Sequence, residues 1–331
     1  MTKIEKLVSV LRKNHVYIQM HNFPDPDAIA SAFGLKELLE HYDKEVTIVF
    51  DGSIDRISCK HMLRNFRIPI TSVHQRNNTK EDDEIILVDC QHDAKNVTDF
   101  AGTEIAAIDH HPATSEYEYR YKDVRMVGAC SSMVALYYEE ADITPSRDVA
   151  TALLYGIKMD TDNFNRGVRR FDIEMYVFLF EYADSTLVQR MMLNTMQLTD
   201  LDAYKMAISD ITIIEDFGLA CVPMECPDGL VAMISDFILA LNEVNVSVVY
   251  TMRENGYKFS ARSEVEDIDA GVLLHTVLST FGGSGGGHDF MAGGFIPINQ
   301  HDGDALISRE EIEAAFKLCL FPKRLTKLVK E

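Results

Sequence analysis

The chain is predicted to be α/β, with a parallel sheet in its N-terminal domain and a smaller α/β C-terminal domain. Three observations predict this. Short apolar runs alternate with helical patterns through the first half of the chain. Several of those runs end in Asp or His, and open parallel sheets collect ligands beyond the carboxyl ends of their strands. The 331 residues also exceed what one hydrophobic core usually serves. We therefore expect one domain over 1–187, a linker within 188–204 and a second domain over 205–331.

The opening MTKIEKLVSVLRKNH places charges among aliphatics at helical spacing. It lacks the apolar stretch and small-residue cleavage site of a signal peptide. VYIQM reads as the first strand, and a helical pattern begins near Pro26. EVTIVF follows as a strand and SCKHMLRNF as a helix. EIILVD and EIAAID are two further apolar runs ending in acid, and crossover helices are expected between parallel strands of this kind. From Gly128 to about Asp210 the pattern is mainly helical, including SSMVALYYEEA, DVATALLYGIKMD and FDIEMYVFLFEYAD. The last is apolar enough to suggest a buried helix.

The second region begins near Ile211, with ITIIED, LACVPM, VSVVYTMRE and YKFSARSE as strands. YTMRENGYKFSA reads as a hairpin with Asn255-Gly256 at its turn. AGVLLHTVLSTF is a helix, and FGGSGGGHDFMAGGF a glycine-rich loop whose backbone amides suit phosphate oxygens. The basic tail PKRLTKLVKE reads as a solvated terminal face.

Composition narrows the function. With 52 acidic against 32 basic residues, the net charge of −20 argues against broad binding to long nucleic acid, which uses a basic surface. A short phosphorylated ligand stays compatible where cations neutralise the site locally. No run approaches the roughly 18 apolar residues of a membrane span. Six cysteines without a CxxC form neither a disulfide nor a zinc framework, and a reducing cytoplasm is the simplest setting.

The chemistry lies in four clusters. His21-Asn22-Phe23-Pro24-Asp25-Pro26-Asp27 gathers one imidazole and two carboxylates at a strand-to-helix turn. Asp89 ends a buried strand, Asp109-His110-His111 ends another, and Asp160 closes a helical pattern. Hard oxygens with some imidazole suit Mn²⁺ or Mg²⁺ better than a soft metal. His21, Asp25, Asp27, Asp89, His110 and Asp160 supply enough ligands for two divalent cations. Two such ions about 3.5–4 Å apart form a clamp for in-line displacement at phosphorus. His15, His41, His61, His74, His92, His275 and His301 lack this context and read as surface or structural histidines.

Together these motifs resemble the DHH phosphoesterase family, in the subgroup with a C-terminal DHHA1 domain. HNFPDPDAIASA, LVDC, IDHHP and GIKMDTDNF are similar to its four motifs in order, and FSARSE and GGSGGGHDFMAGGF to the DHHA1 pattern. The resemblance implies one Mn²⁺ on His21, Asp25 and Asp89 and another on Asp27, Asp89, His110 and Asp160, with Mg²⁺ as the alternative metal. It implies that Asp89 bridges, that Asp109 supports the neighbouring histidines, and that His111 orients the scissile phosphate or backs a ligand. Asp162 stands where glycine is frequent in the fourth motif. Arg262, Ser263, Gly286, Gly287 and His288 would bind the substrate's phosphate or nucleotide. The implied substrates are oligoribonucleotides of about two to five units, linear dinucleotides such as pGpG and pApA, and pAp, with homodimers frequent among similar proteins. Cyclic dinucleotides, pyrophosphate or polyphosphate, and a non-catalytic nucleotide sensor are the alternatives.

Overall fold

The computed structural model describes residues 1–54, 56–73, 79–112, 116–193, 196–298 and 307–321. His74, His301 and the basic tail lie outside the described residues. The chain divides into two compact units, Met1–Thr195 and Met196–Glu331. The segment expected as a linker is largely helical.

The first unit runs α1 (Lys3–Val10), β1 (His15–Gln19), α2 (Pro26–His41), β2 (Glu45–Phe50), α3 (Ile57–Phe66), β3 (Ile70–Ser72), β4 (Glu84–Val88), β5 (Thr103–Asp109), β6 (Tyr121–Val124), α4 (Cys130–Glu140), α5 (Arg147–Asp160), α6 (Arg170–Phe180) and α7 (Ser185–Leu193). Its six strands are parallel, in the order β3-β2-β1-β4-β5-β6. The order reverses between β1 and β4. Such a switch point opens a crevice beyond the strands' carboxyl ends.

Strand alternation sends Val16, Ile18, Ile86 and Ile108 into one large core with α1 to α7. Tyr17, Val49, Ile85, Leu87 and Ala107 point to the opposite face, where they pack with Cys90, Val97, Phe100 and Tyr119. Right-handed crossovers explain the asymmetry: strands added in the opposite direction past β1 put their connections on the opposite face. Helices were expected on those connections too, but among the described residues neither β4–β5 nor β5–β6 carries one. The segment 89–102 instead lies along the sheet, held where Gln19 Nε2 donates to the Thr98 carbonyl at 2.6 Å and Asn22 Nδ2 to Thr98 Oγ1 at 3.0 Å.

Asp25 starts α2. Its Oδ1 accepts from the amides of Asp27 and Ala28 at 3.0 and 3.1 Å, and Pro26 occupies the first turn, where its missing N–H costs nothing. Helix α2 is buried along most of its length, and α5 crosses it closely because Gly156 presents no side chain there. The expected buried helix, α6, is only half buried: Met175 and Leu179 face the core, whereas Ile173, Val177 and Phe180 are exposed. A helix lying on the outside of the bundle can bury only one stripe.

The second unit comprises α8 (Asp200–Asp210), β7 (Thr212–Ile214), β8 (Phe217–Val222), α9 (Asp228–Leu239), β9 (Val246–Arg253), β10 (Gly256–Ser263), α10 (Ala270–Ser279), β11 (Ser284–His288), β12 (Met291–Pro297) and α11 (Arg309–Leu320). Its mixed sheet has the order β11-β12-β10-β9-β8-β7. Helices α10 and α11 cover one face, while α8 and α9 cover the other. The β9–β10 hairpin forms, but its two loop residues are Glu254 and Asn255, with Arg253 pairing Gly256. Gly256 is needed one position later because a Cβ there would press on the Ile296 carbonyl of β12.

The glycine-rich segment also differs from expectation: Gly285 to His288 form an edge strand, not a loop. Two of its glycines serve close packing. A Cβ on Gly285 would lie 2.8 Å from Leu274 Cβ of α10, and one on Gly287 would lie 2.6 Å from Ala292 Cα.

Gly156→Ala should test the α2–α5 crossing. The added Cβ would stand against Ser131 Oγ and 3.0 Å from Ala30 Cβ. We expect overpacking to outweigh the gain in helix propensity, for a net loss on the order of 1 kcal/mol. Urea denaturation measures it, and an unchanged or raised midpoint would contradict the packing described.

Candidate metal centre

The ends of β1, β4 and β5, the start of α2 and the end of α5 bring their polar residues to one place. His21, Asp25 and Asp89 form one group of ligand atoms within 4.8 Å of one another, and Asp27, His110 and Asp160 form another. His21 Nε2 lies 3.9 Å from Asp25 Oδ1 and 3.7 Å from Asp89 Oδ2. His110 Nε2 lies 3.3 Å from Asp89 Oδ1 and 3.2 Å from Asp160 Oδ2. Asp89 thus stands between the groups, and it also joins His110 and His111 in a third. Its backbone has φ 59°, in the left-handed region that non-glycine residues rarely adopt.

Both inward histidines are oriented by backbone carbonyls. His21 Nδ1 lies 2.8 Å from the Asn22 carbonyl and His110 Nδ1 lies 3.1 Å from that of Val127. A carbonyl only accepts, so each Nδ1 carries the proton and each Nε2 is turned toward the carboxylates. Asp27 is held by the start of α4, with Cys130 N donating to Oδ2 at 2.7 Å and Ser131 N to Oδ1 at 2.9 Å. Asp109 accepts at Oδ1 from the amides of His110 and His111 and faces His111 Nδ1 at 2.9 Å. His111 itself is 56 % exposed, so its ring is the one that reaches solvent.

This donor set fits divalent cations. Asp89 Oδ1 is buried with no hydrogen-bond donor reaching it in good geometry, and two Nε2 atoms aim at carboxylate oxygens. His21, Asp25 and Asp89 are the residues that would hold one ion, and Asp27, His110 and Asp160 with Asp89 the other. Without ions the carboxylates are held together at a cost. Burial, offset in part by His110 and aggravated by Asp27, pushes Asp89 up to about 6. Burial raises both Asp27 and Asp160, with repulsion from Asp160 and Asp25 adding to the first and from Asp25 and Asp89 to the second. Burial opposes charge on His110, yet Asp89, Asp27 and Asp160 carry it up to about 11; His21, buried beside Asp25 and Asp89, rises to about 9.

In the second unit, Arg262 donates from Nε to Asp236 Oδ1 and from Nη1 to Ser260 Oγ at 3.0 Å. Strand register aligns Arg262 of β10 with Met291 of β12, and Met291 with His288 of β11. Arg262 and His288 therefore stand two strands apart on one row. Gly286, Gly287 and His288 are exposed, whereas Ser263 is buried, its Oγ accepting from the Val265 amide at 3.2 Å.

Several contributors carry no sequence signature. Gln91 Nε2 donates to Asp109 Oδ2 at 2.6 Å, Arg166 Nη2 donates to the Asp160 carbonyl at 2.8 Å, and the amides of Cys130 and Ser131 act through the backbone. The small-residue run after Gly128 was the available hint that a helix N-terminus would approach an anion.

Residues 15–157 match the DHH family N-terminal domain and residues 218–316 match the DHHA1 domain. The chain belongs to the DHH family and carries the DHHA1 domain. It is 29% identical over 289 residues to an uncharacterised protein of Methanocaldococcus jannaschii, covering 87% of this chain and 59% of that protein. It is 26% identical over 308 residues to a cyclic-di-AMP phosphodiesterase of Bacillus subtilis, covering 84% of this chain and 44% of that one. The chain thus spans about half the length of these two relatives. The crystal structure of an exopolyphosphatase-related protein from Bacteroides fragilis shares the fold at TM-score 0.73 and 20% identity, covering 97% of this chain and 95% of that one. No helix among the described residues is long and apolar enough to cross a membrane.

The raised histidines set a pH dependence. Their folded pKa values exceed the ordinary 6.5, so in metal-free protein the imidazolium's stabilisation is complete below pH 6.5. It is lost as pH climbs through about 9 and beyond. A cation must displace those protons. Mn²⁺ affinity should therefore rise between pH 6 and 8, roughly tenfold per unit for each proton displaced, with proton release visible by titration calorimetry in buffers of different ionisation enthalpy. A pH-independent affinity would contradict the assignment of His21 and His110 as ligands.

Proposed function

We propose that this chain is a two-metal phosphodiesterase. Its substrates would be short oligoribonucleotides or linear dinucleotides such as pGpG and pApA, cleaved to mononucleotides, and also pAp. The meeting of two carboxylate–imidazole groups around Asp89 at a parallel-sheet switch point carries the reading. When bound, two cations supply Lewis-acid stabilisation of charge on the phosphoryl oxygens and lower the pKa of an attacking water. We assign them as Mn²⁺, because the donor set mixes imidazole with carboxylate.

The protein's own groups do the rest. The carbonyls of Asn22 and Val127 fix the tautomers of His21 and His110, so neither ring reorganises when its ligand position fills. Asp109 holds His111 and raises its proton affinity through their hydrogen bond, which keeps that exposed ring a donor toward a phosphoryl oxygen. Arg262 is already oriented by Asp236 and Ser260, and its planar fork suits a substrate phosphate. The exposed glycine edge strand offers close backbone approach beside it.

Cyclic dinucleotides are the second reading, favoured by the match that spans 84% of this chain and a cyclic-di-AMP phosphodiesterase. A panel of pAp, pGpG, pApA, longer RNA, cyclic dinucleotides and polyphosphate with Mn²⁺ separates the readings. We expect linear dinucleotides to turn over fastest. Preferential cleavage of cyclic dinucleotides would overturn the first reading in favour of the second.

Asp89→Ala and His110→Ala should each lower turnover more than about 100-fold with the fold retained by circular dichroism. Loss of even an outer partner of a metal ligand costs 10–100-fold. Substantial Mn²⁺-dependent activity in either variant would count heavily against this centre. Arg262→Ala should raise KM about tenfold or more, the scale of a charge-assisted hydrogen bond, with a smaller change in kcat. An unchanged KM on every substrate would remove Arg262 from the binding role.

A further inference from the structure

One buried carboxylate outside the centre is connected to the group formed by Asp27, His110 and Asp160. Asp172, in the first turn of α6, is fully buried. Its Oδ2 accepts from Gly128 N at 2.8 Å and from Arg169 N at 2.7 Å. Gly128 lies in the short segment 127–131, and this segment touches the metal-binding groups twice. The Val127 carbonyl receives His110 Nδ1, and the amides of Cys130 and Ser131 hold the two oxygens of Asp27. Gly128 therefore sits between the contact that orients His110 and the pair that orients Asp27.

The fit around Gly128 is tight. A Cβ there would lie 2.7 Å from Asp172 Oδ2 and 2.8 Å from Thr161 Cγ2. Thr161 is buried and caps α5 directly after Asp160. Asp172 and the Thr161 methyl thus both fill the space beside Gly128, where the strap passes the third ligand of the same group. Capping α6 accounts for the bond from Arg169 N but not for the one from Gly128 N, which reaches 44 residues back along the chain.

We propose that Asp172 is a positioning residue of the metal centre, fixing the 127–131 strap so that His110 Nε2 and the Asp27 carboxylate hold their binding geometry together. The proposal rests on the two-metal reading above. It makes Asn a conservative replacement, because both bonds go to one oxygen that an amide oxygen can replace. It makes Ala a disruptive one, and it makes Gly128→Ala a second route to the same defect with Asp172 intact.

The test compares Mn²⁺ affinity by calorimetry in the wild type, Asp172→Asn, Asp172→Ala and Gly128→Ala, with amide hydrogen exchange on the metal-free proteins. We expect Asp172→Ala and Gly128→Ala to weaken Mn²⁺ binding about 10–100-fold, the range for outer partners of metal ligands, while Asp172→Asn stays within about threefold of wild type. In metal-free Asp172→Ala the amides of Cys130 and Ser131 should lose protection along with that of Gly128. If the folded Ala variants bind Mn²⁺ like the wild type, and protection is lost at Gly128 alone, Asp172 is only a helix cap and the proposal falls. If the wild type itself binds no Mn²⁺, the two-metal reading fails instead. The exchange pattern at Cys130 and Ser131 then still decides whether Asp172 fixes the strap.

Discussion

Asp27 has its carboxylate almost fully buried, within reach of Asp160 and among further acids, where repulsion and desolvation both oppose its charge. The two amides at the start of α4 answer that cost, one to each oxygen, at the positive end of a helix. Much of the first unit depends on this contact. Helix α4 can start there only if the strap before it is fixed, and α2 can present Asp27 only if α5 crosses it at glycine distance. Like-charged groups crowded at low dielectric require such preorganised donors, or cations, or both.

The topology supplies the place and the helices supply the order. Strands β1 and β4 are neighbours running the same way, and their ends diverge because the connections leave toward opposite faces. His21 and Asp89 follow those two strands, and His110 follows the next strand along. Helices all gather on one side, so the centre is bounded there by the rigid starts of α2 and α4 and the end of α5. On the other side it meets segment 89–102, tied to β1 through Gln19 and to Asp109 through Gln91.

Much of this was legible in the sequence because the chemistry and the fold used the same signals. Apolar runs ending in Asp or His marked strand ends, and Asp25-Pro26 marked the start of α2 through capping chemistry. The convergence of His21, Asp25, Asp27, Asp89 and His110 follows from strand ends sharing one edge, and Asp160 joins them from the end of α5. Backbone donors were not legible, since the amides of Cys130 and Ser131 leave no trace in residue type. Asp172 reads as an ordinary helix acid until its distance to Gly128 is known. The glycine segment misled because composition signals freedom of φ, whereas close packing on α10 demanded the missing side chains. The exposed stripe of α6 misled for the related reason that an apolar sequence does not say which side of a helix has a neighbour.

The left-handed backbone at Asp89 has an evolutionary consequence. A glycine at that position would relieve a conformation costing roughly 1–2 kcal/mol in an L-residue and would remove a buried, unsatisfied carboxylate oxygen. Selection on folding alone would therefore drive the residue away from aspartate. Its retention in a lineage reports continued demand for the anion, and a lineage released from catalysis should drift first at this strand end, gaining thermal stability as it loses the reaction.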